Sequence, residues 1–328
     1  MVAIALSAAI HSGISLGQAG GSAANPSGNW PSKPIRIVVP MPPGGGGDIV
    51  SRGLGEAITR RHGQPVIIDN RAGATGAIGT YYVVKSAPDG YTYVLIQVGP
   101  GVTAPMTQKD IQYNPVRDLA PVVMIGQAPI SLFVPAGSPF QNLADVVRHA
   151  RANPGKLDYG TPGMATPAHL TGELLQKLGA ISLNHIPFKG SAATGQAVVG
   201  GQVGMSIDTV PPNLGLVRGG KLRSLVVTSA QRSQTLPDVP TTREAGFPNI
   251  EMSTWYALSA PAATPRPIID AMNAVTNAYI ASPEGSKRLD DLGLLPRRGG
   301  TPEDLGNFIK GEVAKLEPII REAGIRTD

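Results

Sequence analysis

Three times along the chain a short run of β-branched and aliphatic residues leads through a glycine-bearing loop into residues that are apolar at helical spacing. The first passage runs from Ile35–Val39 through Pro40–Asp48 to Ile49–Arg61, and the second from Val66–Ile68 through Asn70–Gly79. The third is Tyr159–Leu170, where Thr166-Pro167 is a helix-start signal with Leu170, Leu174 and Leu178 on the expected buried face. A strand–loop–helix unit repeated in this way specifies an α/β fold with largely parallel sheets.

The chain has 328 residues, enough for two such domains. With 41% hydrophobic and 16% charged residues it is globular rather than disordered, and 31 prolines with 41 glycines require many tight turns. Further strands are expected at Thr92–Gln97, Ser131–Val134, Val203–Ile207, Leu222–Val227 and Tyr256–Leu258. The last helix announces itself with Thr301 as N-cap and Pro302 in the first turn. Two apolar segments bounded by prolines, Pro129–Pro135 and Trp255–Pro261, are suited to be paired hinge strands. The expected organisation is one lobe from 30–128 plus 255–328 and a second from 129–254.

Residues 1–32 contain no charged side chain, and Val2–Ile10 followed by small residues to Ala24 reads as a secretory signal over 1–24. Beyond it no stretch is apolar and long enough to span a membrane as a helix. The net charge of +5 is spread thinly, without a Lys/Arg block, which excludes a nucleic-acid partner but favours small anions.

The first loop, Pro40 to Asp48, holds four consecutive glycines where a turn needs one or two. Unshielded amides and the positive end of the following helix suit it to an anion. Asp48 is the expected N-cap of that helix. The second loop carries Gly73, Gly76 and Gly79, a spacing that is neither a dinucleotide fingerprint nor a P-loop. Arg71 beside it is a ligand cation, a surface arginine or a structural ion pair. His169 belongs to the first turn of the third loop's helix, where a satisfied structural role is expected over a ligand contact.

Catalytic signatures are missing. The single Gly-x-Ser-x-Gly match, Gly13 to Gly17, falls inside the signal, and the five histidines show no paired metal-ligand spacing. No cysteine is present, so thiolate chemistry and cysteine metal sites are excluded. No catalytic residue, cofactor or metal is expected.

The ordered motifs resemble the Bug (TctC-type) extracytoplasmic solute receptors of tripartite tricarboxylate transporters. The first half carries Lys33–Pro40 with Pro42–Gly45, Asn70-Arg71 with Gly73-Ala74, and Ala87–Tyr91. The second carries Asn153–Leu157, His169-Leu170 with Glu173, Phe188–Ser191, Gly200–Val203 and Leu236–Thr241, so that the likeness spans Trp30 to Asp328. The resemblance implies a two-lobed periplasmic binding protein of type II-like architecture, with two crossing hinge strands. It further implies a small organic carboxylate as ligand, and a tripartite-type transporter or a sensor kinase as membrane partner to a monomer. The positions it carries over are Met41, Pro43, Gly44, Gly45, Gly46, Gly47, Asp48, Gly73, Ala74, Thr75, Gly76, Thr161, Thr166 and Asp208. Met41 stands where the family usually has an aromatic, and Gly47 where a hydroxyl residue is common. Three readings are open at this point: a transport receptor, a ligand-loaded sensor, and an enzyme acting on a similar acid. Dicarboxylate, tricarboxylate, amino acid and aromatic acid all suit amide-lined loops.

Overall fold

The computed structural model describes residues 30–296 and 299–327. The expected signal at 1–24 lies outside them. In chain order the elements are β1 (Ile35–Val39), α1 (Gly46–His62), β2 (Val66–Asn70), α2 (Ala77–Val84), β3 (Thr92–Ile96), α3 (Ala104–Thr107), α4 (Pro115–Asp118) and β4 (Leu119–Pro135). Next come α5 (Leu143–Ala152), β5 (Asp158–Thr161), α6 (Pro167–Gly179), β6 (Asn184–Pro187), α7 (Ser191–Val199), β7 (Met205–Thr209), α8 (Val210–Arg218) and β8 (Leu222–Val227). The chain closes with β9 (Ser253–Pro261), α9 (Arg266–Ala281), α10 (Pro283–Asp291), β10 (Leu295–Pro296) and α11 (Pro302–Glu322).

The fold is α/β with two lobes, each built on its own half of a curled sheet. In the first half β2, β1 and β3 are parallel, β9 runs antiparallel beside β3, and the Leu119–Pro129 stretch of β4 pairs with β9. In the second half β6, β5 and β7 are parallel, and Ile130–Pro135 of the same β4 pairs antiparallel with β7 and β8. The sheets are therefore mixed rather than largely parallel. The long strands that cross between the lobes run against their neighbours, and β10 adds a further antiparallel pair.

The hinge expectation needs a correction of register. Pro129–Pro135 does not pair with Trp255–Pro261. The partner of β9 is the Leu119–Pro129 stretch, and the last pair is Pro129 with Ser253. A single 17-residue strand was hidden by its prolines, which cannot donate to a ladder. Pro121 is tolerated because the register shifts between it and Val123, so its missing donor falls at a bulge, and Pro129 stands at the last pair with β9. Thr228 ties the crossing strands together. Its N–H donates to the Ile130 carbonyl at 2.9 Å, and the Met252 N–H donates to the Thr228 carbonyl at 3.2 Å.

α1 buries Val50, Leu54 and Ile58 against the first sheet half, with Ala57 partly covered beside them. Each such side chain contributes roughly 1.5–3 kcal/mol by leaving water. α6 buries Leu170 and Leu175 rather than the expected Leu170, Leu174 and Leu178; Leu174 is partly covered and Leu178 is exposed. α11 starts as its sequence requires, with Thr301 and Asp304 forming a reciprocal capping box behind Pro302. It packs on the β9 side, where Phe308 meets Trp255 edge-on and Glu312 accepts a hydrogen bond from the indole N–H at 3.2 Å.

Candidate functional site

A cavity of about 540 Å³ opens between the carboxyl ends of the two parallel strand sets. One wall is made by Pro40–Pro43, Gly45 and Gly46 after β1, by Ala72, Gly73, Thr75 and Gly76 after β2, and by Gln97 with Gly99 and Pro100 after β3. The facing wall is made by Pro162–Met164 and Thr166–Ala168 after β5, Lys189–Ala192 after β6, and Asp208 with Thr209 at the end of β7. Ile130 of β4 and Thr254 and Tyr256 of β9 lie between them. Both lobes and both crossing strands thus contribute to one chamber, at the place where α/β sheets bind ligands.

Four helices begin at this chamber without a side-chain cap, α2 and α8 at Gly76 and Thr209 and, with glycines on opposite walls, α1 and α7. α1 has Gly45 as its N-cap and α7 has Gly190, and neither residue supplies an acceptor for the first-turn amides. Those N–H groups have no intrahelical partner, so each helix start presents free donors and the positive end of its dipole. Charged side chains on the lining are Lys189 and Asp208. Asp208 is fully buried, and its carboxylate accepts from Ser191 Oγ at 3.0 Å, Thr209 N–H at 2.6 Å and Asn213 Nδ2 at 3.1 Å. Burial pushes its pKa up to about 6 against the pull of these hydrogen bonds. Tyr256, buried on β9, has its phenol pushed upward by burial and by the nearby Asp208 charge.

Of the residues expected from sequence, Met41, Pro43, Gly45, Gly46, Gly73, Thr75, Gly76, Thr166 and Asp208 line the chamber, whereas Gly44, Gly47, Asp48, Ala74 and Thr161 stand behind its surface. Asp48 is not the N-cap of α1. The helix starts at Gly46, three residues earlier than its apolar pattern, which puts Asp48 in the third helical position. From there it reaches back to accept the Gly44 N–H at 3.1 Å and holds Arg52 through both oxygens at 2.9 and 3.0 Å. Burial opposes its ionisation, but Arg52, the Gly44 amide and Asn70 outweigh that and lower its pKa. Gly47 is needed for close packing, since a Cβ there would strike Gln97 and come within 2.7 Å of Met41 Sδ. The Ala74 carbonyl accepts from Gln108 Nε2 at 2.7 Å.

Thr161 holds the third loop from behind. Its Oγ1 lies 2.6 Å from His185 Nε2 and 3.1 Å from the Gly163 carbonyl. Thr166 caps α6 by accepting the His169 N–H at 3.3 Å and donates to Gly163 O at 2.9 Å. His169 is structural, as expected: Nδ1 accepts the Ala165 N–H at 3.1 Å, Nε2 lies 3.4 Å from Glu173, and the ring stacks on His185. Burial, and then the neighbouring His169, depress the His185 pKa to about 4. Arg71 is committed to Asp69 at 2.9 Å and lies over the Tyr82 ring, away from the chamber lining.

Comparison with known proteins fixes the lineage. Residues 50–325 match the family model described as the tripartite tricarboxylate transporter family receptor. The chain belongs to that receptor family. The receptor is 34% identical to protein BugT of Bordetella pertussis over 315 residues, 96% of each chain. It is 37% identical to a protein from the tcbD-tcbE intergenic region of Pseudomonas sp. strain P51, over 89% of this chain and 87% of that one. Among solved structures, an adipate-bound R. palustris protein superposes with a TM-score of 0.87 at 33% identity, covering 90% of the receptor and 99% of that chain. Malate-bound MatC of Rhodopseudomonas palustris gives 0.83 at 29%, covering 89% and 100%.

Six polar lining side chains of the receptor escaped sequence reasoning: Gln97, Lys189, Ser191, Thr209, Thr254 and Tyr256. Gln97 and Tyr256 are single polar residues at the end of β3 and in the middle of β9, with no local pattern to mark them. Lys189 and Ser191 sit in the Phe188–Ser191 motif, which was legible as a family signature but not as a wall of the chamber. Among the described residues no group of three or more His, Asp or Glu side chains is arranged to hold a metal ion.

Proposed function

We propose that this receptor captures a small organic carboxylate in the chamber between its lobes, working in the periplasm as a monomer and handing the ligand to a membrane transporter. The observation that carries the reading is a pair of uncapped helix starts, α1 from one lobe and α7 from the other, facing the same chamber. Together they offer neutral, directional donors from both sides, the arrangement an anion held between two lobes requires. The adipate and malate bound in the two R. palustris relatives support the ligand class. The moving lobe is proposed as 129–254, against 30–128 plus 255–328. In support, β4 exchanges β9 for β7 and β8 after Pro129, and β9 begins at Ser253.

Native mass spectrometry of protein purified without denaturation tests the reading. The expected result is a non-covalent adduct whose mass is that of a carboxylic acid. Protein that carries no adduct and is not stabilised thermally by any member of a carboxylate panel would contradict it.

A further inference from the structure

Gln97 is a buried chamber side chain whose carboxamide is only weakly bonded. It is only 7% exposed, and among the described residues the partner of its Nε2 is Met41 Sδ at 3.2 Å. A thioether is a weak acceptor, so a carboxamide N–H buried against it retains most of its capacity to donate. The position is specific. Gly46 and Gly47 carry no Cβ, and in that space Tyr256 Oη comes against the first and Gln97 Nε2 against the second. The carboxamide therefore lies directly under the first turn of α1, beside amides that no side chain caps.

We propose that Gln97 is the specificity-determining side chain of the chamber: its Nε2 leaves Met41 Sδ and donates to a carboxylate oxygen seated on the first turn of α1. This rests on the carboxylate-receptor reading. Gln97 is neutral, and the nearby Arg52 and Arg71 are held by Asp48 and Asp69. Recognition at this end of the ligand then depends on the geometry of neutral donors, and Met41 sets the strength of the contact that Gln97 gives up.

The test is titration calorimetry with adipate, malate and hexanoate on the wild type and three variants, with melting temperatures as a check on folding. Gln97→Leu is expected to melt normally and to lose about 10- to 100-fold in affinity for each acid the wild type binds, the cost of a hydrogen bond to a charged group. Met41→Leu removes the competing sulfur and is expected to bind a few-fold more tightly. Gln97→Glu is expected to be weakest at about pH 8, where an ionised side chain repels the ligand. It should recover relative to wild type at about pH 5, because burial and the adjacent ligand carboxylate raise the glutamic acid above its usual value of about 4.3 and the protonated form donates. Gln97→Leu binding within about twofold of wild type, or Gln97→Glu equally impaired relative to wild type at both pH values, would overturn the proposal and leave the receptor reading standing. A wild type that binds none of the three acids would overturn the receptor reading, and this proposal with it.

Discussion

Pro42 and Gly190 meet across the mouth of the chamber: a Cβ placed on Gly190 would stand 3.4 Å from Pro42 Cγ. Pro42 belongs to the loop after β1 and Gly190 is the N-cap of α7, so the contact joins the two lobes beside the uncapped starts of α1 and α7. Gly190 has φ +96°, a backbone conformation that leaves the α7 amides clear and that an L side chain rarely adopts.

Closure at this contact is the first prediction. Pro42→Trp puts an indole where the ring now meets Gly190 and should hold the lobes apart. Affinity for a carboxylate is expected to fall at least tenfold while the melting temperature is unchanged, and ligand-induced compaction in small-angle scattering should disappear. Full affinity together with normal compaction in the variant would show that the lobes do not need to meet there.

Thr166 separates capping from binding. Its hydroxyl caps α6, anchors Gly163 and also lines the chamber. Thr166→Val should cost about 0.5–2 kcal/mol of stability for the lost cap, and should weaken ligand binding by more than that. A stability loss in that range with unchanged affinity would make Thr166 a cap alone.

The strand–loop–helix units were legible because prolines and glycines punctuate them and the helix starts carry their own signals, as at Thr166-Pro167 and Thr301-Pro302. β4 was not legible at full length. Pro129 reads as the boundary of a separate segment, whereas β4 runs through it and changes partner there. Asp48 was misplaced because glycines at 46 and 47 carry no apolar periodicity, so the pattern begins only after the helix does. Gln97 and Tyr256 were invisible for a different reason. Their role comes from two sheet strands passing under the first turn of α1, a tertiary juxtaposition with no local signature.

The buried carboxyl of Asp208 gives the pH dependence. Its pKa is raised by burial from 3.8 to about 6, so the folded protein favours the neutral form. Its contribution to stability is therefore complete below about 3.8 and is lost as pH rises through about 6. An anionic ligand beside it favours the neutral form further, so binding should take up a proton near pH 6 and weaken as pH rises toward about 8. Calorimetry in two buffers of different ionisation enthalpy measures that uptake, and Asp208→Asn should abolish it. Unchanged proton uptake in Asp208→Asn would assign the effect to another group.

The most direct test of carboxylate capture by neutral donors is a calorimetric comparison of adipate, its mono-amide and its di-amide, each at low and at high salt. Hydrogen bonds from helix-start amides are short-ranged, whereas salt screens mainly exposed charges more than roughly 8–10 Å apart. The account predicts clear binding of adipate, weaker binding of the mono-amide and little of the di-amide, with only mild sensitivity to salt. Equal binding of adipate and its di-amide would contradict carboxylate recognition, and a steep salt dependence for adipate would make Lys189 the principal anchor in place of the amides.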